Sequence, residues 1–220
     1  MRALNLCLPA LALAAGLASS STGASAHPHV WVTVEATVLY ANGSITGLQE
    51  AWTFDEFYTA TAIEGLDANR DGRYDRQELA ELAKVNIDGL KEFAYFTYAK
   101  LGNGELKFAT PADYWLEHTD KGILTLHFTL PLEHSVLAEA PGFSFSVYDP
   151  SFFIAFDLAK DQPVKLGASA PADCKVAITE PAEEDTDTQQ LGQAFSSAMG
   201  GGGGSSFGMA KTVAVQCVKS

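Results

Sequence analysis

The strongest chemical pattern in the sequence is a run of oxygen-bearing side chains over residues 67–78, which reads D-A-N-R-D-G-R-Y-D-R-Q-E. It fits the calcium-loop pattern D-x-[DN]-x-[DN]-G-x5-E. In that pattern positions one, three, five, nine and twelve offer side-chain oxygens, position six is the glycine of a sharp turn, and position seven offers its backbone carbonyl. The corresponding candidate ligands here are Asp67, Asn69, Asp71, Arg73, Asp75 and Glu78.

Hard oxygen ligands with several negative charges suit calcium and are poor ligands for a soft metal. One position departs from the pattern: Tyr74 stands eighth, where calcium loops of this type place an aliphatic β-branched residue that pairs with a second loop. No second loop is visible in the sequence. We therefore expect a lone, structural calcium site that fills at extracellular concentrations, on the order of 0.1–1 mM. A solvated acidic turn and a calcium sensor are the alternatives.

The first 26 residues are typical of a cleaved signal peptide. Arg2 supplies a positive charge, residues 4–17 form an apolar stretch too short to cross a bilayer, and Ala24-Ser25-Ala26 has the form that signal peptidase cleaves. We therefore expect export to the periplasm, with residues 27–220 as a single domain and no membrane insertion of the processed chain.

Cleavage there makes the chain begin His27-Pro28-His29, and two imidazoles with a free amine can hold zinc, copper or nickel. Pro28 has no amide proton, so the amino-terminal chelate that uses the second amide nitrogen is blocked. A copper histidine brace, with a third nitrogen from another histidine, stays open, as does a terminus that binds nothing. Asp149 is a candidate carboxylate ligand, or else a turn residue that bonds its own backbone before Pro150.

Charge and motif content exclude several classes of function. The chain has 14 Lys and Arg against 27 Asp and Glu, a formal net charge of −13. That balance argues against nucleic-acid binding, which needs clustered basic residues, and suits cations. No G-x-S-x-G, H-E-x-x-H or phosphate-binding glycine loop is present, so no enzyme activity is expected.

The patterns along the chain predict an α+β fold. Alternating apolar residues from His29 to Thr53, with a turn at Asn42-Gly43, predict a hairpin, and strand character dominates again over residues 105–156. Between them Thr53 and Glu56 form a capping-box pattern that opens a helix, and a second helical pattern follows the acidic loop. We expect mostly antiparallel β structure, sandwich-like, with an inserted EF-hand-like helix–loop–helix over residues 53–100.

Two cysteines remain after export, in an oxidising compartment where such a pair usually bonds. Pairing Cys174 with Cys217 in antiparallel strands also sets Val176 opposite Val215 and Ile178 opposite Val213, so that apolar side chains meet. We therefore predict a disulfide between Cys174 and Cys217; the alternative, two thiolates that serve a metal, lacks a close CxxC pair. The acidic and glycine-rich segment 180–210 would be a mobile excursion between the two strands.

Five motifs in order resemble one family. They are residues 27–32 (H-P-H-V-W-V), 52–57 (W-T-F-D-E-F), 66–72 (L-D-A-N-R-D-G), 94–97 (A-Y-F-T) and 148–153 (Y-D-P-S-F-F). The chain is similar to the periplasmic family labelled domain of unknown function 1007, also described as an ABC-type transport system periplasmic component. The resemblance implies export and an association with a membrane transporter of nickel, cobalt or zinc. It also favours His27 and His29 as metal ligands, with Asp149 as a helper.

The sequence therefore predicts a periplasmic metal-binding accessory protein of such a transporter, stabilised by one calcium. A first alternative is a calcium-stabilised protein-interaction module with no transition-metal site, which would use the aromatic residues Trp31, Trp115 and Phe152. A second is a copper enzyme built on a histidine brace.

Overall fold

The computed structural model describes residues 28–181 and 210–217. The predicted signal peptide, His27 and nearly all of the acidic and glycine-rich segment lie outside these residues. The strands are β1 (Val30–Ala41), β2 (Ser44–Phe54), β3 (Thr97–Leu101), β4 (Gly104–Leu106), β5 (Ala112–His118), β6 (Leu124–Leu137), β7 (Phe143–Val147), β8 (Ile154–Leu158), β9 (Val164–Leu166), β10 (Cys174–Thr179) and β11 (Thr212–Cys217). The helices are α1 (Glu56–Ala62) and α2 (Ala80–Leu90), and a 3-10 segment, Lys91–Phe96, follows α2.

The strands form two sheets whose buried faces contribute to one hydrophobic core. The first sheet has the order β5-β6-β2-β1-β8, with β9 also beside β1, and the second has the order β10-β11-β7-β3-β4. Pairing is antiparallel except where β8 and β9 run parallel to β1. The prediction of mostly antiparallel β structure is confirmed. No helix in the described ranges is long and apolar enough to span a bilayer.

The β1–β2 hairpin forms as its sequence predicts. Val32 and Val34 lie on the buried face, and Thr33 and Glu35 on the exposed one. The two-residue turn has φ of 50° at Asn42 and 74° at Gly43. Two consecutive positive φ angles belong to the turn type that matches the twist of the strands.

Two local predictions were wrong. The N-cap of α1 is Asp55, whose Oδ1 accepts a hydrogen bond from the Tyr58 N–H at 2.8 Å, whereas Thr53 still lies in β2. The helical insert also ends earlier than residue 100, because β3 starts at Thr97 and pairs with β7. Strand β2 continues past Thr53, and strand β3 begins at Thr97. In both cases pairing with a strand distant in sequence outweighs the local helical pattern.

The predicted strand register around the disulfide is confirmed. Cys174 pairs with Cys217, Val176 with Val215 and Ile178 with Val213, and the Cys174–Cys217 disulfide is present. Strand β11 also pairs with β7. The disulfide therefore links the edge strand β10 covalently to the interior strand β11 of the second sheet.

One carboxyl group lies inside the core. Glu50 is fully buried on the face of β2 that also carries Trp52, and its Oε2 accepts a hydrogen bond from Trp52 Nε1 at 2.6 Å. Its Oε1 lies 3.1 Å from Thr97 Oγ1, which is also 2.9 Å from the Tyr95 carbonyl oxygen. The Thr97 hydroxyl has one proton for these two acceptors, so a protonated Glu50 that donates to Thr97 satisfies all three groups. Burial raises the pKa of Glu50 to about 7.

Candidate metal-binding loop and neighbouring surfaces

The loop 67–78 is organised by its own carboxylates. Asp67 accepts hydrogen bonds from the Asp71 N–H through Oδ1 at 3.1 Å and from the Gly72 N–H through Oδ2 at 3.0 Å. Gly72 has φ of 77°, a left-handed conformation that side chains disfavour. The sharp turn that a calcium loop needs at its sixth position is therefore present.

Glu78 joins the two ends of the loop. Its Oε1 accepts from the N–H groups of Ala68 at 2.9 Å and Asn69 at 3.2 Å, and its Oε2 accepts from the Asp75 N–H at 3.1 Å. The carboxylate at the twelfth position thus faces the first positions of the loop. Both of its oxygens accept hydrogen bonds from loop amides.

Asp75 is the first residue of the turn that leads from the loop into α2. Its Oδ1 accepts from the N–H groups of Gln77 at 2.7 Å and Glu78 at 2.9 Å, and its carbonyl accepts from the Leu79 N–H. Leu79 is fully buried and leads into α2. This side-chain cap positions Glu78, because it fixes the turn from which that carboxylate projects.

By donor chemistry the residues fit a calcium ion: every candidate ligand is an oxygen, and the loop turns as the pattern requires. In this structure the carboxylates accept from loop amides, and the described residues contain no group of three or more His, Cys, Asp and Glu arranged to hold a metal. Helix α1 also ends at Ala62, so a turn separates it from the loop. The calcium ligands and the EF-hand-like arrangement remain predictions.

The loop is docked onto strand β5 through two of its side chains. The Tyr74 ring contacts the His118 ring edge-to-face at 4.9 Å between centroids. The Arg76 guanidinium lies 4.4 Å over the Trp115 ring, whose stacking partner is His127 at 4.7 Å. This explains the unusual residue at the eighth position, since Tyr74 packs on this protein's own sheet rather than pairing with a second loop. No pattern in the sequence points to Arg76, because its partner Trp115 is 39 positions away.

His29 is exposed at the start of β1, beside the beginning of β8. Its backbone N–H donates to the Phe153 carbonyl at 2.8 Å, and its ring lies 4.8 Å from the Phe153 ring. Its predicted partner His27 lies outside the described residues. The three other histidines, His118, His127 and His134, are on β5 and β6.

Asp149 is buried and accepts four hydrogen bonds. Its Oδ1 accepts from the N–H and Oγ of Ser151, and its Oδ2 accepts from the N–H groups of Phe153 and Ile154. These are the contacts of a turn residue, which is the alternative to a metal ligand given above. They occupy about all the lone pairs of the carboxylate. Asp149 and His29 both contact Phe153, so the structure brings them to one corner of the first sheet.

The same corner exposes several aromatic side chains. The exposed fractions are 55% for Trp31, 46% for Phe152 and 54% for Phe153, and Phe57 at the start of α1 is 78% exposed. Phe152 has φ of 58°, which is a strained conformation for a bulky residue, and the four Asp149 hydrogen bonds hold the turn that contains it. Trp115, by contrast, is half-buried between Arg76 and His127.

The fold and this loop define a class: a two-sheet β protein with an acidic loop docked on one sheet. The chain matches the family described as "Protein of unknown function (DUF1007)" over residues 11–217, and it belongs to that family. It is 28% identical over 163 residues to an "Uncharacterized protein" of Haemophilus influenzae, covering 73% of this chain and 76% of that one. It is 32% identical over 112 residues to the "Uncharacterized 15.5 kDa protein in trpE 3'region" of Spirochaeta aurantia, covering 51% of this chain and 79% of that one.

Proposed function

We propose that this protein is an exported metal-binding accessory protein of the periplasm, stabilised by one calcium in the loop 67–78. The observation that carries the proposal is the position of Glu78, whose carboxylate faces the first positions of the loop from a turn capped by Asp75. The internal disulfide supports export, because such bonds persist in oxidising compartments.

Calcium would be held by the side chains of Asp67, Asn69, Asp71, Asp75 and Glu78 and by the carbonyl of Arg73. Its role is structural: the positive charge offsets the repulsion among four carboxylates and holds the loop in one conformation. Through Tyr74 and Arg76 that conformation is joined to β5. The Arg73 side chain is exposed and free to remain in water, as the pattern requires of the seventh position.

The first prediction concerns calcium-dependent stability. With a dissociation constant of 0.1–1 mM, 10 mM calcium should raise the free energy of unfolding by about 1.4–2.7 kcal/mol relative to EDTA. Glu78→Gln should abolish this increment, because the bidentate carboxylate is lost. Urea unfolding followed by circular dichroism measures both.

Glu81→Gln is the matched control, since it removes one exposed carboxylate in the first turn of α2, outside the loop. It should keep the full calcium increment. An equal response to calcium in the native protein and in Glu78→Gln would contradict the proposal, as would no response in the native protein at 10 mM calcium.

We further propose that His27 and His29 bind a transition metal, zinc, nickel or copper, which is exchanged with a membrane metal transporter. Support comes from the placement of His29, exposed and fixed against Phe153 at the start of β1. Asp149 is the weakest of the three candidate ligands, because a metal would compete with four hydrogen-bond donors. The association with a transporter rests on the family resemblance alone.

The second candidate function is a calcium-stabilised protein-interaction module with no transition metal. The exposed aromatic side chains Trp31, Phe152 and Phe153 favour it, since contiguous exposed apolar surface marks interaction sites. Of the residues predicted for this role, Trp115 is the exception, because it is half-buried and its ring contacts Arg76 and His127. A copper histidine-brace enzyme is a third candidate and predicts redox turnover that is lost when one residue is added before His27.

A further inference from the structure

A depression lies on the outer face of the first sheet, and neither His29 nor any candidate calcium ligand lines it. The strand register places Trp115, His127, Ala51 and Glu35 in one row across β5, β6, β2 and β1. Neighbouring strands are about 4.8 Å apart, so His127 and Glu35 stand roughly 10 Å apart on either side of Ala51. The small side chain of Ala51 leaves the centre of the row open.

The depression is a cavity of about 200 Å³. Ala51 forms its floor, Trp115 and His127 form one wall, and Glu35 stands at the other. Gln162 and Pro163, which precede β9, also line it. At about 30 Å³ per water molecule the cavity holds six or seven waters, which is roughly the size of one sugar ring.

The wall made by Trp115 and His127 is preorganised. The indole is stacked between the Arg76 guanidinium and the imidazole, and His127 Nε2 lies 3.0 Å from Glu117 Oε2. Neither ring can turn without breaking one of these contacts. A preformed wall lowers the entropy that a ligand loses on binding.

The charges around the cavity are already paired. Glu35 Oε2 lies 3.8 Å from Lys165 Nζ, and His127 contacts Glu117. An ionic ligand would have to compete with these pairs. What remains is the side-chain amides of Gln49 and Gln162, which both donate and accept hydrogen bonds, and the second ring nitrogen of His127, because Nε2 contacts Glu117.

We propose that this cavity over Ala51 is a binding site for a small neutral polyhydroxylated molecule, a monosaccharide or sugar alcohol. Its hydroxyl groups both donate and accept, which matches a lining of amides, imidazole and paired charges. The ligand would lie on Ala51, between the His127 wall and the Glu35–Lys165 pair. The site shares no candidate ligand with the proposed calcium and transition-metal sites, although Arg76 of the loop 67–78 packs on its wall residue Trp115.

The test is an NMR titration of the full processed protein, in calcium-containing buffer, with a panel of neutral monosaccharides and sugar alcohols. Saturable shifts of the Ala51 amide and the Trp115 indole N–H are expected for at least one compound, with a dissociation constant on the order of 1 mM. Ala51→Leu, which fills the cavity, should weaken binding at least tenfold. Ala41→Leu, at the exposed end of β1, is the matched control and should bind as the native protein does.

Gln49→Ala with Gln162→Ala gives a second variant should Ala51→Leu fail to fold, and it should also weaken binding at least tenfold. Glycine and sulfate serve as charged probes and should give no saturable shift. No saturable shift with any neutral compound would overturn the proposal, and so would equal binding by Ala51→Leu or preferential binding of a charged probe.

Discussion

Replacing Glu50 with glutamine is expected to increase the free energy of unfolding at pH 8, by up to about 3 kcal/mol. Burial raises the pKa of Glu50 from 4.5 to about 7, and one pKa unit corresponds to about 1.4 kcal/mol. A glutamine keeps an acceptor for Trp52 Nε1 and can donate to Thr97, so the hydrogen bonds of the neutral carboxyl are retained.

The raised pKa of Glu50 also predicts how the free energy of unfolding changes with pH. Below about pH 4.5 the Glu50 carboxyl is protonated in both the folded and the unfolded chain, and its contribution to stability is complete. Between about 4.5 and 7 the unfolded chain releases the proton while the folded chain keeps it, so stability falls as pH rises. Above about pH 7 the contribution of the Glu50 carboxyl to the free energy of unfolding is lost completely.

Urea unfolding between pH 4 and 8 measures this profile. The difference in unfolding free energy between Glu50→Gln and the native protein should grow over that range and then level off. Glu139→Gln, which alters an exposed carboxylate, should follow the native profile. A constant difference across the range would show that Glu50 does not titrate there.

Reducing the disulfide is expected to lower the free energy of unfolding by about 4 kcal/mol. Cys174 and Cys217 are separated by 43 positions, and the chain-entropy model assigns about this value to a loop of that length. Among the described strands β10 pairs with β11 alone, at the edge of its sheet, so we expect it to detach first.

Urea unfolding with and without dithiothreitol gives the size of this effect, and hydrogen exchange of β10 amides locates it. A Cys174→Ser/Cys217→Ser variant should be insensitive to dithiothreitol and should resemble the reduced native protein. A loss smaller than about 1 kcal/mol on reduction would mean that the unfolded chain gains little freedom from the open loop.

Those parts of the fold that depend on short-range patterns could be predicted from the sequence. The Asn42-Gly43 turn and the register around Cys174 and Cys217 follow from residues within one hairpin or one strand pair. The pairing of Cys174 with Cys217 spans 43 positions, but the two cysteines mark it, whereas long-range contacts without such a marker could not be predicted. Strand β3 exists because it pairs with β7, about 45 positions further along the chain, and its local pattern resembled the end of a helix.

The candidate site also has parts that could be predicted from the sequence and parts that could not. The loop 67–78 is local, so its turn at Gly72 could be predicted, whereas the Asp75 cap was not predicted and the Arg76–Trp115 stack joins distant segments. Glu50 did carry a signal that was overlooked, since the alternation of β2 puts it on the same face as Leu48 and Trp52. A charged residue on an otherwise apolar strand face indicates a buried, perturbed group.

The most direct test of the proposed function is the metal content of the natively processed protein after equilibrium dialysis against about 10 mM calcium, measured by elemental mass spectrometry with the dialysate content subtracted. We expect about one calcium per chain, lost in Glu78→Gln, and one transition metal, lost in a His27→Ala/His29→Ala variant that keeps its calcium. Calcium alone, with no zinc, nickel or copper even after titration, would contradict the accessory role and favour the interaction module. No calcium in the native protein would contradict the assignment of the loop.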